Sequence, residues 1–209
     1  WEITRHALVW YYATLSQIQV VYGSFAAAIA VLLSVEVAAT LGAAAPAGAQ
    51  SIVVHAPVLH FLKAQDETLF EYYKYIGERI NISMALWSHP DSGYLMSPEL
   101  CARLADIPNV VAIKYSVPRE MYARLTRLAG DRLIVSTASE EEWFDNIVEL
   151  GWRLYLCSTP PFTMQTAVDQ RINEYTALAF AGKTVEARKV RDSLNPVRAA
   201  FRATRPKGT

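Results

Sequence analysis

Charge is missing from the first part of this chain, and several familiar signatures are missing from all of it. Between Ala7 and Val35 there is no Asp, Glu, Lys or Arg, a stretch long enough to cross a bilayer as a helix. Cysteine is scarce: the 2 present, Cys101 and Cys157, form no CxxC motif and no Cys/His cluster. That excludes a disulfide framework or a thiolate zinc site and points to reduced thiols in the cytoplasm. Lys+Arg and Asp+Glu both number 20, so no basic stripe offers itself to nucleic acid and no global charge to an anionic surface. Glycine-rich phosphate loops are absent, which argues against a nucleotide site. His55, His60 and His89 lack carboxylate partners at ligand spacing, so no metal centre is expected. No cleavable signal peptide is expected from the pattern, and the first residue, Trp1 rather than Met, suggests a fragment or a processed piece.

What is present is a repeated strand-helix pattern. At 209 residues the chain can build one substantial core and is short for two domains. Residues 1–46 admit two readings: a membrane-type helix within residues 7–41, or a helix, short strand and Ala-rich helix of a soluble fold. From Gln50 to residue 162 the pattern is regular. Apolar runs begin near residues 51, 82, 110, 133 and 154, with helices predicted at Thr68–Ile80, Pro98–Ala105 and Pro118–Leu128. A further helix follows Ser139-Glu140-Glu141-Glu142, whose carboxylates suit a helix N-terminus. Ser97-Pro98-Glu99 reads as N-cap, first-turn proline and acidic first turn, and Asp66 reads as another N-cap. Leu154–Cys157 is the fifth predicted strand. From residue 163 the chain is helical: Met164–Ala181, Thr184–Leu194 and Val197–Thr204. Successive β/α units predict a parallel sheet, as a barrel or a doubly wound fold, and the missing phosphate loop favours the barrel.

In a parallel barrel the C-terminal strand ends form the rim where chemistry is done. The residues falling there are His55, Trp87, Ser88, His89, Lys114, Tyr115, Ser136, Thr137 and Ser158. Lys114 closes the buried run Val110-Val111-Ala112-Ile113. Poor solvation there would disfavour the ammonium and free an amine to attack a carbonyl; the plainer alternative is a lysine emerging into solvent where its strand stops. No carboxylate pair converges on the rim, so glycosidase chemistry has no support.

The run Val110-Val111-Ala112-Ile113-Lys114-Tyr115-Ser116, preceded by Ser97-Pro98-Glu99 and Ile107-Pro108-Asn109, resembles the dihydrodipicolinate synthase and N-acetylneuraminate lyase superfamily. Phe180-Ala181-Gly182-Lys183, Glu186-Ala187-Arg188 and Leu194-Asn195-Pro196 fit the same group, and the resemblance covers about residues 47–204. It implies an incomplete (β/α)8 TIM-type barrel, an α/β fold running from about strand 3 or 4 to strand 8, with C-terminal helices. It also implies a lyase or aldolase in which Lys114 forms a Schiff base with pyruvate or a related 2-oxo acid. Trp87, Ser88, His89, His55, Tyr115, Ser136, Thr137 and Ser158 would then bind substrate, an aldehyde would be the second reactant, and no cofactor would be needed. The group is commonly homo-oligomeric. Where it usually carries Tyr-Asn-x-Pro, this chain has Trp87-Ser88-His89-Pro90, so the relay phenol is missing and the pocket is more aromatic, as in hydratase-aldolases. The alternatives are an inactive, oligomerising barrel fragment and a membrane-anchored fusion, since Val21-Tyr22-Gly23-Ser24-Phe25-Ala26-Ala27 also resembles a helix of the ribonuclease-BN-like inner-membrane family.

Overall fold

Short apolar runs rich in Val and Ile, each bounded by turn residues, form four parallel strands: β1 (Ser51–His55), β2 (Ser83–Ser88), β3 (Val110–Tyr115) and β4 (Ile134–Ser136). The computed structural model describes residues 48–56, 66–90, 94–137, 139–156 and 164–204. Among them the strands lie in the order β1-β2-β3-β4, every neighbouring pair parallel. Between them run α1 (Asp66–Gly77), α2 (Pro98–Leu104) and α3 (Arg119–Ala129), with α4 (Glu140–Leu150) after β4. Three helices close the described chain: α5 (Arg171–Phe180), α6 (Thr184–Ser193) and α7 (Asn195–Thr204).

Side-chain alternation divides the sheet into two unlike faces. On one, Val54, Met84, Leu86, Ile113, Tyr115 and Val135 join a single core with Tyr73, Ile76, Leu100, Leu104, Tyr122 and Leu125. The other face carries Val53 and Ile134, 57% and 47% exposed, followed at the strand ends by His55, Trp87, Lys114 and Ser136. In a closed barrel this face would line the interior.

The local signals behave as their chemistry requires. Ser97 caps α2, its Oγ accepting from the Leu100 N–H at 3.1 Å, with Pro98 at the first helical position. Gly151 ends α4 in the left-handed conformation at φ 69°, which glycine adopts without steric cost.

Three expectations need correction. Residues 151–156 carry no strand; instead the Leu156 N–H donates to Ser136 Oγ at 2.8 Å, so a side chain stands where a backbone ladder was expected. The helix predicted from Met164 begins at Arg171. Thr166 Oγ1 accepts from the N–H groups of Val168 and Asp169, and Asp169 pairs with Arg171 at 2.6 Å, which holds a turn that competes with helix. Asp66, read as an N-cap, is instead the first residue of α1, and its carboxylate accepts from the Tyr94 and Ser97 hydroxyls. The expectations for residues 1–46 and for Cys157, and the membrane reading of residues 7–41, lie outside the described residues. Among those described, no helix is long and apolar enough to cross a membrane.

Candidate active site

The site is a row of four residues, one from the end of each strand. The register pairs His55 with Trp87, Trp87 with Lys114, and Lys114 with Ser136. In-register partners on parallel strands project to the same side of a sheet, so these four side chains share the face that a barrel would enclose. The row depends on a bulge: Met84 pairs with Val110 but Ala85 with Ala112, leaving Val111 unpaired between them. Without that extra residue Lys114 would stand opposite Ser88 rather than Trp87.

Trp87 is the centre of the arrangement. Lys114 Nζ lies 4.5 Å from the centroid of its ring, a cation–π distance. The His55 ring meets it in a T-shaped contact, centroids 4.8 Å apart at 88°, and the His89 ring approaches at 5.7 Å and 60°. The indole Nε1 is buried without a hydrogen-bond partner. His55 Nδ1 is 2.7 Å from the Ala56 carbonyl oxygen, and the Ala56 N–H reaches the Trp87 carbonyl at 3.5 Å. Lys114, Trp87, His55 and His89 are all half-buried.

Two residues assigned to the pocket from sequence are elsewhere. Ser88 and Tyr115 pair with each other one position beyond the Trp87 and Lys114 pair, so alternation turns both toward the helices, and both are 0% exposed. Ser88 Oγ accepts from the Met96 N–H at 3.1 Å, and the Tyr115 hydroxyl donates to the Met96 carbonyl. Burial pushes the Tyr115 phenol far above its ordinary pKa. These two residues anchor the 94–97 segment over the strand ends and do not face Lys114. The role of that segment was missed from sequence, where Tyr94-Leu95-Met96-Ser97 offers only the cap at Ser97. Ser136 does lie on the Lys114 row, but its hydroxyl is occupied by Leu156 and by a 3.4 Å contact to the Thr137 carbonyl. Thr137 is buried just beyond β4, and Ser158 lies outside the described residues. No group of three or more His, Cys, Asp or Glu able to hold a metal occurs among the described residues.

A lysine at the end of a parallel strand, beside an aromatic ring and on the face that a closed barrel would enclose, has the chemistry of an amine nucleophile. The comparison with known families supplies the context: the model of the dihydrodipicolinate synthetase family matches residues 21–207. The chain belongs to that family.

The matched span takes in Val21–Ala27, and nothing in the comparisons supports the inner-membrane likeness of that stretch. Among curated relatives, the 4-hydroxy-tetrahydrodipicolinate synthase of Thermotoga petrophila is 27% identical over 166 residues, covering 76% of this chain and 54% of the relative. That of Psychrobacter arcticus is 37% identical over 101 residues, 46% of this chain and 32% of the relative. The chain thus spans about half the length of the relatives it matches. Among solved structures, the dihydrodipicolinate synthase of Thermotoga maritima superposes with a TM-score of 0.69 at 24% identity, covering 84% of this chain and 58% of that one. The Acinetobacter baumannii enzyme, solved with pyruvate, gives 0.69 at 21% identity with the same coverage, 84% and 58%. The fold is therefore the family's (β/α)8 barrel in incomplete form.

Proposed function

We propose that this chain is the lysine-bearing part of a Schiff-base lyase, and that Lys114 forms an imine with pyruvate or a related 2-oxo acid. The observation that carries the reading is the placement of Lys114 beside Trp87, on the face that a closed barrel would enclose. Neutral Nζ adds to the keto carbon, and the carbinolamine loses water to give an imine. Its protonated form draws electrons from the adjacent carbon, so a C–C bond there can be broken or made with an aldehyde. The four-membered row of His55, Trp87, Lys114 and Ser136 supports the reading, as does membership of a family with a pyruvate-bound member. Trp87 supplies a flat apolar wall, which fits an aryl-substituted 2-oxo acid of the kind hydratase-aldolases cleave. The buried free thiol of Cys101 fits a cytoplasmic setting.

Treating the chain with pyruvate and then borohydride tests this. Reduction of the imine leaves a carboxyethyl group on the lysine nitrogen. The expected result is that adduct on Lys114 in a peptide digest, lost in K114M. Folded protein with Lys114 unmodified would refute the proposal.

A second reading has its own support: the exposure of Val53 and Ile134 on the face that a barrel encloses. Here a second copy of the chain covers that face, and the assembly is a homo-oligomer with or without activity. Light scattering decides it, since a well-folded monomer would leave that face open, with β1 and β4 as the sheet edges among the described residues.

A further inference from the structure

The proposed chemistry needs a group that moves protons at the carbon next to the imine, and the hydroxyls of Ser88, Tyr115 and Ser136 are engaged elsewhere. Ser88 and Tyr115 hold Met96 on the far face, and Ser136 accepts from Leu156. Indole has no acidic O–H and its N–H donates only. Among the described residues, the proton-exchanging side chains left around Trp87 are the imidazoles of His55 and His89.

His55 is the better placed of the two. It is the last residue of β1, in register with Trp87 and so on the Lys114 row, whereas His89 follows the end of β2. Its ring is fixed at both ends, by the 4.8 Å perpendicular contact with Trp87 and by the 2.7 Å link from Nδ1 to the Ala56 carbonyl. A carbonyl oxygen can only accept, so Nδ1 carries the hydrogen in that link. In the neutral ring the lone pair is therefore on Nε2, the nitrogen the backbone leaves available. The His55 ring centre and Lys114 Nζ lie 4.8 Å and 4.5 Å from the same indole, on the two strands that flank it, so both are set on the face where a three-carbon acid bonded to Nζ would lie.

We infer that His55 is the proton carrier of this site, acting through Nε2 at the carbon adjacent to the imine. The inference rests on the Schiff-base reading of Lys114. Nε2 takes a proton from the methyl carbon of the protonated pyruvyl imine. The C–H pair becomes the C=C bond of an enamine, and the C=N π pair returns to the lysine nitrogen. In reverse, the imidazolium returns its proton to that carbon and restores the imine. In the presence of an aldehyde the enamine carbon attacks instead, and the imidazolium protonates the new alkoxide. No other reactant is required.

Incubating the 209-residue chain with pyruvate in deuterium oxide reads both steps separately. Borohydride trapping reports imine formation at Lys114, and loss of the methyl proton signal reports exchange. For H55Q the expected result is trapping unchanged within about two-fold but exchange slowed by about 100-fold or more, the usual scale of a lost general base. In H55A, added imidazole should restore part of the exchange, which a merely structural defect would not allow. H89Q should retain more exchange than H55Q. Exchange in H55Q at the parent rate would overturn the role of His55, as would joint loss of trapping and exchange in both His55 variants, or a defect confined to H89Q. Absence of the Lys114 adduct in the folded parent chain would instead overturn the Schiff-base reading, so the two failures are distinguishable.

Discussion

Glu140 and Arg198 form a buried ion pair across 58 residues of sequence, and it offers the sharpest test of what holds the C-terminal helices in place. Arg198 Nε and Nη2 donate to the two carboxylate oxygens at 2.8 and 2.7 Å, and the side chains are 5% and 2% exposed. The Tyr175 hydroxyl donates to the same carboxylate at 2.7 Å, and Arg198 Nη1 is satisfied by the Arg191 carbonyl and Asn195 Oδ1. The pair thus ties the first turn of α4 to α5 and α7, and Glu140 sits where the α4 dipole also favours negative charge. Burial opposes the charge on Arg198, but the hydrogen bonds and charge of Glu140 outweigh it and hold its pKa above the ordinary arginine value.

In E140Q the shape and most hydrogen bonds survive while the anion is removed, leaving a guanidinium buried without a counter-charge. That situation costs about 3–5 kcal/mol. With a urea slope of about 2–3 kcal/mol/M, the unfolding midpoint should fall by about 1–2.5 M. The same helix pair carries its own control: Glu141 and Arg202 meet at 2.9 Å but are 53% and 57% exposed. Breaking that pair in E141Q should cost no more than about 1 kcal/mol. The double variant E140L/R198M, with no charge left to bury, should be more stable than E140L alone. An E140Q midpoint no lower than that of E141Q would refute the reasoning.

Alkali should unfold the protein. Burial is the leading cause that raises the phenol pKa of Tyr72, to about 12, and of Tyr73, Tyr94, Tyr115, Tyr122 and Tyr175. Above about pH 10 the unfolded chain loses these protons while the folded one keeps them, so stability falls by up to about 1.4 kcal/mol per pH unit for each residue. Phenolate absorbance should then rise together with loss of circular dichroism; absorbance rising in a native spectrum would count against it. A Cβ at Gly77 would lie 2.7 Å from Ile107 Cγ2 and 2.8 Å from Asn109 Oδ1. The clash, about 1–3 kcal/mol, should exceed the helix-propensity gain of about 1 kcal/mol, so G77A should melt lower than the parent. S136A removes the acceptor of the Leu156 N–H and should cost about 1–3 kcal/mol, read as faster hydrogen exchange at that amide.

Local chemistry was legible in the sequence where one segment decides its own structure. Ser97-Pro98-Glu99 starts a helix because the hydroxyl, the ring and the carboxylate each satisfy a requirement of its first turn, and the apolar runs at 51, 83 and 110 became strands for the same reason. Sequence alone falls short where a distant partner decides. The three carboxylates at Glu140 to Glu142 look alike in sequence, yet only Glu140 meets Arg198 and is buried. Leu154–Leu156 is apolar enough for a strand, but the Leu156 N–H is taken by a serine side chain. The helix from Met164 was read from spacing, which does not register the Thr166 turn that competes with it.

The candidate site shows the same division more finely. That Lys114 ends a strand follows from its neighbours, but which residues face it is a question of parity, and parity is set by register. One unpaired residue, Val111, brings Lys114 opposite Trp87; β-bulges re-aim side chains in this way without a mark in the apolar pattern. Reading all strand-end residues as one pocket merged two faces, and so counted Ser88 and Tyr115 with Lys114. Separating the faces removes those hydroxyls from the Lys114 row and leaves an amine, an indole, imidazoles and the Ser136 hydroxyl that Leu156 occupies. On the proposed mechanism, Trp87, which stands where the superfamily resembled in sequence usually carries tyrosine, leaves the proton to His55 at the end of β1. If that holds, a W87Y variant should partly relieve the need for His55, and the combined variant W87Y/H55Q should exchange pyruvate protons faster than H55Q alone. Equal rates for the two would mean that the phenol, in this register, does not reach the reacting carbon.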